Sequence, residues 1–98
     1  MPSYFVDIDP RVLIPTPSRP FADSMKLARQ IAQFGSSDSG MPSLVAYESR
    51  DGLLDVYNGV TRATRMAMLA PGVNVRVEVI GRLAKNFASA ATIGDAIP

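Results

Sequence analysis

The chain of 98 residues carries ten Lys or Arg against nine Asp or Glu, so its net charge is +1 and no strong basic field points to nucleic acid. Hydrophobic residues make up 47% and charged residues 19%, which is typical of one small globular domain. There is no Cys and no His, and this excludes disulfides, thiolate metal sites, a Cys nucleophile and any Ser-His-Asp arrangement.

Neither a membrane span nor a signal peptide is predicted. The chain has no apolar run long enough to cross a bilayer, and residues 1–7 lack the basic start and long apolar core of a signal. We therefore expect no membrane partner, and action in the cytoplasm. Secretion as part of a larger protein is the alternative, since a fragment need not carry the signal.

The first part of the chain is predicted to be extended. Residues 3–8 alternate between two faces as a strand does, and residues 11–14 resume an extended run after Asp9-Pro10. Three prolines hold residues 15–20 extended and non-helical, which presents Arg19 with little ordering entropy left to lose. A plain connector is the alternative interpretation of this proline segment.

An amphipathic helix is predicted over about residues 22–34, and Gly35 stands where a helix commonly ends. Its polar side is expected to face solvent and consists of Lys26, Arg29, Gln30 and Gln33. The side expected to face inward consists of Met25, Leu27, Ala28, Ile31, Ala32 and Phe34.

A β-hairpin is predicted next, with strands over residues 43–49 and 53–57 joined at Asp51-Gly52, which is a strong turn signal. A second helix is predicted over residues 60–69. The residues expected on its inward face are Val60, Ala63, Met66, Ala67 and Ala70.

Two arginines and two large apolar residues are among those of this second helix that lie outside its inward face. Arg62 is at the border of that face. An arginine in this position is able to bury the aliphatic part of its side chain and still present its guanidinium to a ligand. Arg65 points away from the face. Met68 and Leu69 also fall off it, and we expect either the C-terminal segment or a cognate protein partner to cover them.

Residues 73–79 alternate as the cleanest half-buried strand in the chain. A short helix from residue 82 to about residue 90 and a loose tail at residues 91–98 complete the prediction. The expected fold is one α+β domain over residues 1–98, with a small mixed sheet of about four or five strands and two main helices.

The residues around Gly59 form the candidate site. Asn58-Gly59 turns a strand directly into a helix, and the free N–H groups of the first helical turn are able to bind an anion there. Gly59 permits a close approach or a positive φ angle. Arg62 and Arg65 follow at helical spacing. The sequence thus predicts a phosphate- or carboxylate-binding site, and a helix start with two solvated arginines is the alternative.

The order of these segments resembles the ParB N-terminal/sulfiredoxin-like domains, often called ParB-like nuclease domains, over about residues 3–80. The similar parts are a proline-arginine stretch, a helix closed by Gly, a Pro-hydrophobic-Val strand, a strand reaching the motif Gly, and a Gly-x-x-Arg signature. They lie at residues 17–20, 27–35, 41–45, 51–57 and 59–62. The signature is GERR in partition proteins and GCHR in sulfiredoxins, and here it is Gly59-Val60-Thr61-Arg62.

The resemblance implies that Gly59, Thr61 and Arg62 contact nucleotide phosphates or substrate at a helix N-terminus. Val60 stands where sulfiredoxins have their nucleophilic Cys, which excludes sulfinic-acid reductase activity. The same position lacks the Glu of GERR, and Thr61 replaces its first Arg, which argues against partition-type CTP hydrolysis. The helix-turn-helix domain that follows in partition proteins is absent, which leaves the phosphate-binding core.

An enzyme of this composition has to work without His. Phosphodiester or nucleotide hydrolysis fits, because arginines stabilise charge developing on phosphorus while a carboxylate or a substrate hydroxyl manages the proton. The catalytic candidates are Arg62, Arg19 and Asp55, and the phosphate-binding candidates are Gly59, Thr61, Arg62 and Arg65. A satisfied carboxylate on the solvent side of the sheet is the alternative for Asp55. No metal site is predicted, since the spacing is compatible with Mg²⁺ but does not demand it.

Three functional classes follow. The first is a nuclease-like enzyme acting on nucleic acid or nucleotides, such as the toxic domain of a larger bacterial polymorphic toxin, with Tyr57 stacking on a base or ribose. The second is a non-catalytic nucleotide- or DNA-binding module, and the third is a protein-interaction domain that uses Met68 and Leu69. The first two classes need the same arginines, so the sequence does not separate them.

Overall fold

The fold is a single mixed β-sheet with accompanying helices, and the computed structural model describes residues 3–15, 24–37, 40–86 and 90–97. In chain order the elements are β1 (Tyr4–Ile8), a 3₁₀ helix (Pro10–Val12), β2 (Ile14–Pro15), α1 (Ser24–Phe34), β3 (Leu44–Glu48), β4 (Leu54–Asn58), α2 (Val60–Leu69), β5 (Val75–Arg82) and α3 (Ile93–Ala96). The predicted α+β fold, with a small mixed sheet and two main helices, is confirmed. None of the helices within these ranges has the length and hydropathy of a membrane span.

The strands lie in the order β1-β5-β3-β4-β2. The central strand β3 pairs in parallel with β5 and antiparallel with β4, and the β3–β4 connection is the predicted hairpin. Its turn is held by the Ser49 hydroxyl, which donates to the Asp51 carboxylate and accepts from the Leu53 N–H at 3.0 Å. Because β4 runs antiparallel to β3, the end of β4 lies beside the start of β3, with Asn58 opposite Val45.

One face of the sheet and the inward side of α2 form a single core. Alternate residues of β3, β4 and β5 pack against the predicted inward residues of α2. Leu13 and Ile93 complete the same cluster from the segments near the 3₁₀ helix and α3. The opposite side of the sheet is named the outer face below, and its residues include Phe5, Asp7, Tyr47, Asp55, Tyr57, Arg76 and Glu78.

α1 packs on α2 through part of the predicted side, rotated towards Gln30. None of its residues is buried; Leu27 and Ile31, both expected to face inward, are half-buried, and so is Gln30 from the predicted polar side. Met25, expected to face inward, is 68% exposed, while the Gln30 side chain turns inward and its Oε1 has no hydrogen-bond partner in the described part of the chain. The main contact of α1 is with α2. The periodicity of the sequence therefore predicts the helix. Its contact with α2 determines which of its residues are half-buried.

Two stretches take a conformation other than the predicted one. Residues 10–12 form a 3₁₀ helix in place of an extended run, because the Asp9 carboxylate caps it by accepting from the Arg11 N–H at 2.9 Å. β5 continues to Arg82, and residues 83–86 are not helical. The prediction of a short helix from residue 82 is therefore wrong for residues 82–86. Residue 82 belongs to β5, and residues 83–86 are irregular.

The described C-terminal segment is packed, in place of the loose tail expected at residues 91–98. The Thr92 hydroxyl accepts from the Asp95 N–H at 3.2 Å, and the Asp95 carboxylate accepts from the Thr92 N–H at 2.9 Å, which makes a capping box for α3. Ile93 is 2% exposed within the core. A helix of four residues is too short to show a periodic pattern, so the sequence analysis missed it.

Candidate functional site

The predicted turn at Gly59 is a direct strand-to-helix junction, since β4 ends at Asn58 and α2 begins at Val60. Gly59 has φ +108°, in the left-handed region where a side chain is strained. A Cβ atom at this position would also overlap Leu44 Cδ2. The N-cap residue Gly59 has no side chain, so within the described ranges the N–H groups of the first turn of α2 point out of the helix without a side-chain capping oxygen.

The Arg62 side chain folds back over Gly59. Its Nη2 and Nε atoms lie 3.0 and 3.3 Å from the position that a Cβ atom would take at Gly59. Nη1 donates a hydrogen bond to the Pro42 carbonyl oxygen at 3.2 Å, the one hydrogen bond of this side chain among the described residues. Nε and Nη2 therefore border the open end of α2 with donors that the rest of the described chain does not use.

The electrostatics of this turn favour an anion. Burial lowers the pKa of the half-buried Arg62 guanidinium, although an arginine stays charged at neutral pH. The charge lies at the positive, N-terminal end of the α2 dipole, where a cation is unfavourable and an anion is favourable. Ion pairs among the described residues join Arg76 to Asp7 and Arg82 to Glu48, so no described carboxylate balances Arg62. A phosphate or carboxylate group bound here would stabilise both the helix end and the guanidinium.

Arg65 is buried, although it was expected on the outward side of α2, and it is only 1% exposed. Its Nη1 donates to the carbonyl oxygens of Gly35 and Ser37, each at 2.7 Å, and Nη2 contacts Met41 Sδ at 3.4 Å. Its Cζ lies 5.3 Å from the centre of the Phe34 ring. The guanidinium thus holds the chain that leaves α1, and the phosphate-binding role of Arg65 stays a prediction.

The structure brings three of the predicted ligands together in one turn. Thr61 is half-buried and lies in the first turn of α2 with Arg62, directly after Gly59. Arg19, predicted to reach over from the proline segment, lies outside the described residues. The described part of the candidate site is therefore an uncapped helix end, a glycine that allows close approach, and one arginine.

Asp55 lies on the side of the sheet that the solvent-side alternative gives it, but it is buried. It is 7% exposed, and its Oδ1 has no hydrogen-bond partner among the described residues. Burial raises the pKa of its carboxyl, and the charge of Lys85 opposes part of that shift. Asp55 stands opposite Ile14 of β2 and Tyr47 of β3, while its neighbours in β4 point into the core. Its carboxyl therefore lies on the outer face, on the side of the sheet away from α2, and not at the Gly59 turn.

The other carboxylates considered near the site have partners at the hairpin. Glu48 pairs with Arg82 at 3.1 Å, and Asp51 accepts from the Ser49 hydroxyl. Within the described ranges no group of three or more acidic residues is arranged to hold a metal ion. The described part of the Gly59 turn is thus a site of positive charge without an adjoining carboxylate.

Tyr57 is an aromatic side chain that the outer face presents to solvent, two residues before Gly59. It is 63% exposed, and its ring meets the Tyr47 ring edge-on, with centres 5.9 Å apart and an angle of 86° between the planes. Tyr47 was not singled out from the sequence. The signal that would have found it is the strand alternation, which places it on the outer face opposite Asp55 and beside Tyr57.

Comparison of the chain with family models, curated proteins and solved structures found no match. The likeness to ParB-like domains therefore rests on the segments named in the sequence analysis. The geometry of the Gly59 turn stands independently of it, because it follows from contacts within this chain.

Proposed function

We propose that this chain is a ParB-like phosphate-binding domain that acts on nucleic acid or nucleotides at the Gly59 turn. The observation that carries the proposal is the Arg62 guanidinium at the open end of α2, with no carboxylate partner among the described residues. One bound anion would stabilise both the positive N-terminal end of α2 and the Arg62 guanidinium, which have no counter-ion among the described residues.

Each residue of the turn has a distinct part in this proposal. The N–H groups that follow Gly59 donate to phosphate oxygens, and the missing Cβ lets the ligand approach the backbone. Arg62 supplies the charge, through the Nε and Nη2 donors that face Gly59. Thr61 offers a hydroxyl in the same turn. Arg19 is assigned the role of a second arginine from the proline segment.

The proposed reaction is phosphodiester or nucleotide hydrolysis. Arg62 would stabilise the negative charge that develops on the phosphoryl oxygens in the transition state. Since Asp55 lies on the other side of the sheet, a substrate hydroxyl or water is the better candidate for the proton transfer than that carboxylate. The proposed place of action is the cytoplasm, where the chain would work by itself or as the toxic domain of a larger bacterial protein.

A non-catalytic binding module is the second candidate, and one observation favours it. No carboxylate among the described residues contacts Arg62 or the Gly59 turn, so the site as described holds charge-binding groups without a general base. A module of this kind would bind nucleotides or nucleic acid through the same groups and would release them unchanged.

The decisive experiment compares the parent chain with Arg62→Ala and with Arg29→Ala as a matched control, since Arg29 is an exposed arginine of α1. Each protein is incubated with RNA, DNA and nucleoside triphosphates, with and without Mg²⁺, and both binding and product are measured. Arg62→Ala should weaken binding by roughly tenfold or more, because an arginine–phosphate contact is worth about 1.5–3 kcal/mol. Arg29→Ala should bind as the parent does.

The products decide between the candidate functions. Cleavage that is lost in Arg62→Ala supports an enzyme, and Arg62-dependent binding without turnover supports the module. Unchanged binding by Arg62→Ala would rule out the Gly59 site. In that case Met68 and Leu69, which are 37% and 38% exposed on α2, become the surface to test as a protein contact.

A further inference from the structure

We propose, building on the anion site proposed above, that the ligand is single-stranded nucleic acid whose bases lie on the outer face of the sheet between the β3–β4 hairpin and the Gly59 turn. The observations behind this proposal are an exposed aromatic ring on the outer face beside the Gly59 turn, its packing against a second tyrosine, and a basic cleft at the far end of β4.

The outer face lies on the side of the sheet opposite the helical core. α2 shares its buried side chains with the inner faces of β3, β4 and β5, and α1 and α3 make their main contacts with α2 and the 3₁₀ helix. Phe5 and Tyr57 on the outer face are 55% and 63% exposed, whereas Asp55, between the hairpin and Tyr57, is 7% exposed. Exposed aromatic rings on a sheet face are a recurring way to bind unpaired bases.

The Tyr57 ring packs against a second aromatic ring. It meets the Tyr47 ring edge-on, and Tyr47 in turn lies against Gly81, where a Cβ atom would come within 3.3 Å of the Tyr47 ring. An aromatic ring that is already ordered loses little conformational freedom when a base stacks on it. Asp55, which lies two residues before Tyr57 on this face, is buried.

A basic cleft lies at the other end of β4. It has a volume of about 450 Å³ and is formed where the β3–β4 hairpin meets the end of β5. Arg50, Arg82 and Glu48 line it, and because Glu48 pairs with Arg82 at 3.1 Å, the net positive charge of the described lining comes from Arg50. The Arg50 N–H also donates to the Lys85 carbonyl oxygen at 2.8 Å, which ties the segment after β5 to the hairpin.

The spacing of these features fits a short strand better than a free nucleotide. The five residues of β4 separate the hairpin cleft from the Gly59 turn by roughly 17 Å, and Tyr57 lies between them. One nucleotide carries its phosphates at one end, so it reaches only one of the two basic positions. A single strand offers phosphates at both positions and unpaired bases between them, whereas a duplex keeps its bases stacked inside.

The test uses fluorescence anisotropy with four labelled probes of equal length: single-stranded oligo-dT, single-stranded oligo-rU, an abasic single strand and a DNA duplex. Tyr57→Ala is compared with Tyr57→Phe, and Phe5→Ala is the control because Phe5 is an exposed aromatic on the same face three strands away. Circular dichroism confirms that each variant keeps the fold.

We expect Tyr57→Ala to weaken binding of the base-bearing single strands at least tenfold. Tyr57→Phe and Phe5→Ala should bind like the parent, and the abasic strand and the duplex should bind weakly to all proteins. Arg50→Ala should reduce the slope of binding against salt concentration by about one phosphate contact.

The inference and the proposed function fail in different ways. If the abasic strand or the duplex binds as tightly as oligo-dT, or if Tyr57→Ala binds as the parent does, the inference is overturned, while loss of binding in Arg62→Ala still upholds the phosphate site. If Tyr57→Ala is impaired but Arg62→Ala is not, the outer face binds bases and the Gly59 site is rejected.

Discussion

Arg65 is the buried charge that most concerns stability. Its Nη1 hydrogens satisfy two main-chain carbonyls at the end of α1, and its Cζ packs over the Phe34 ring. Arg65→Ala would leave both carbonyl oxygens without that donor, so we expect the free energy of unfolding to fall by about 2–4 kcal/mol. Urea denaturation followed by circular dichroism measures it.

The controls for this prediction separate charge from geometry. Arg65→Lys should be intermediate, because one ammonium group lacks the planar fork that serves two carbonyls. Arg29→Ala, on the exposed side of α1, should change stability by less than about 0.5 kcal/mol. If Arg65→Ala lowers the free energy of unfolding no more than Arg29→Ala does, the buried guanidinium does not stabilise the chain at the end of α1.

Asp55 makes stability depend on pH. Burial raises the pKa of its carboxyl in the folded chain above the unfolded value, so the folded state binds the proton more tightly. The favourable contribution is fully present below the unfolded pKa, near 3.8, and is lost as pH rises through the raised folded pKa. Asp55→Asn cannot ionise, so its stability relative to the parent should increase as pH rises from 4 towards neutrality.

Thermal unfolding of the parent and Asp55→Asn across this pH range checks the prediction. Asp7→Asn serves as the control, because the Asp7 side chain is 59% exposed and pairs with Arg76 at the surface. If the difference in unfolding temperature between the parent and Asp55→Asn stays constant with pH, the Asp55 carboxyl does not titrate in the way its burial indicates.

The sequence placed Arg62 correctly at the border of the α2 face, but it did not predict that Arg65 and Asp55 are buried. A helical wheel assigns each residue to a side according to its own polarity. It does not show that main-chain carbonyls of another segment are within reach of Arg65, or that β2 covers Asp55 from the edge of the sheet. Both contacts join segments distant in sequence, so no local pattern records them.

Among the elements, the β4–α2 junction makes the sharpest prediction. Gly59 and Gly72 both have positive φ angles, +108° and +84°, so alanine is strained at either position. Only Gly59 is also crowded, since its Cβ would overlap Leu44 Cδ2, whereas at Gly72 nothing lies within 4 Å of that position. Gly59→Ala should therefore cost about 1–3 kcal/mol more than Gly72→Ala.

Chemical denaturation of the two variants measures this difference. The shared positive φ cancels in the comparison, and what is left is the contact between the new methyl group and the Leu44 side chain. Equal stability of Gly59→Ala and Gly72→Ala would mean that Leu44 moves aside without cost. In that event the close packing at the turn would not explain why glycine is needed there.

Most of the elements could be predicted because they follow periods that the sequence carries. The hairpin at Asp51-Gly52, the helix α2 and the strand β5 all appear close to the expected residues. The rotation of α1 could not be predicted, because its apolar side is wider than the narrow surface that α2 offers. α3 was not predicted, because it is stabilised by a capping box and by the burial of Ile93 and has no periodic pattern of its own.

At the scale of the whole molecule, the fold class was predictable and the strand order was not. Alternating strand and helix periods are enough to predict an α+β domain. The order of strands depends on pairings such as β1 with β5, and these leave no signature in either segment alone. The candidate site depends less on that order, because strand, turn and helix are contiguous from Leu54 to Leu69.

The pairing of β1 with β5 has a consequence for synthesis of the chain. Tyr4 lies opposite Val79, and the Ile93 N–H donates to the Leu13 carbonyl oxygen at 2.8 Å. When the ribosome has synthesised the hairpin and α2, it has not yet synthesised β5, the partner of β1. The edge of β1 therefore stays unpaired until β5 emerges. Such distant contacts slow folding. The nascent chain therefore stays open to proteolysis until β5 has emerged, even though the segment that forms the Gly59 turn emerges earlier.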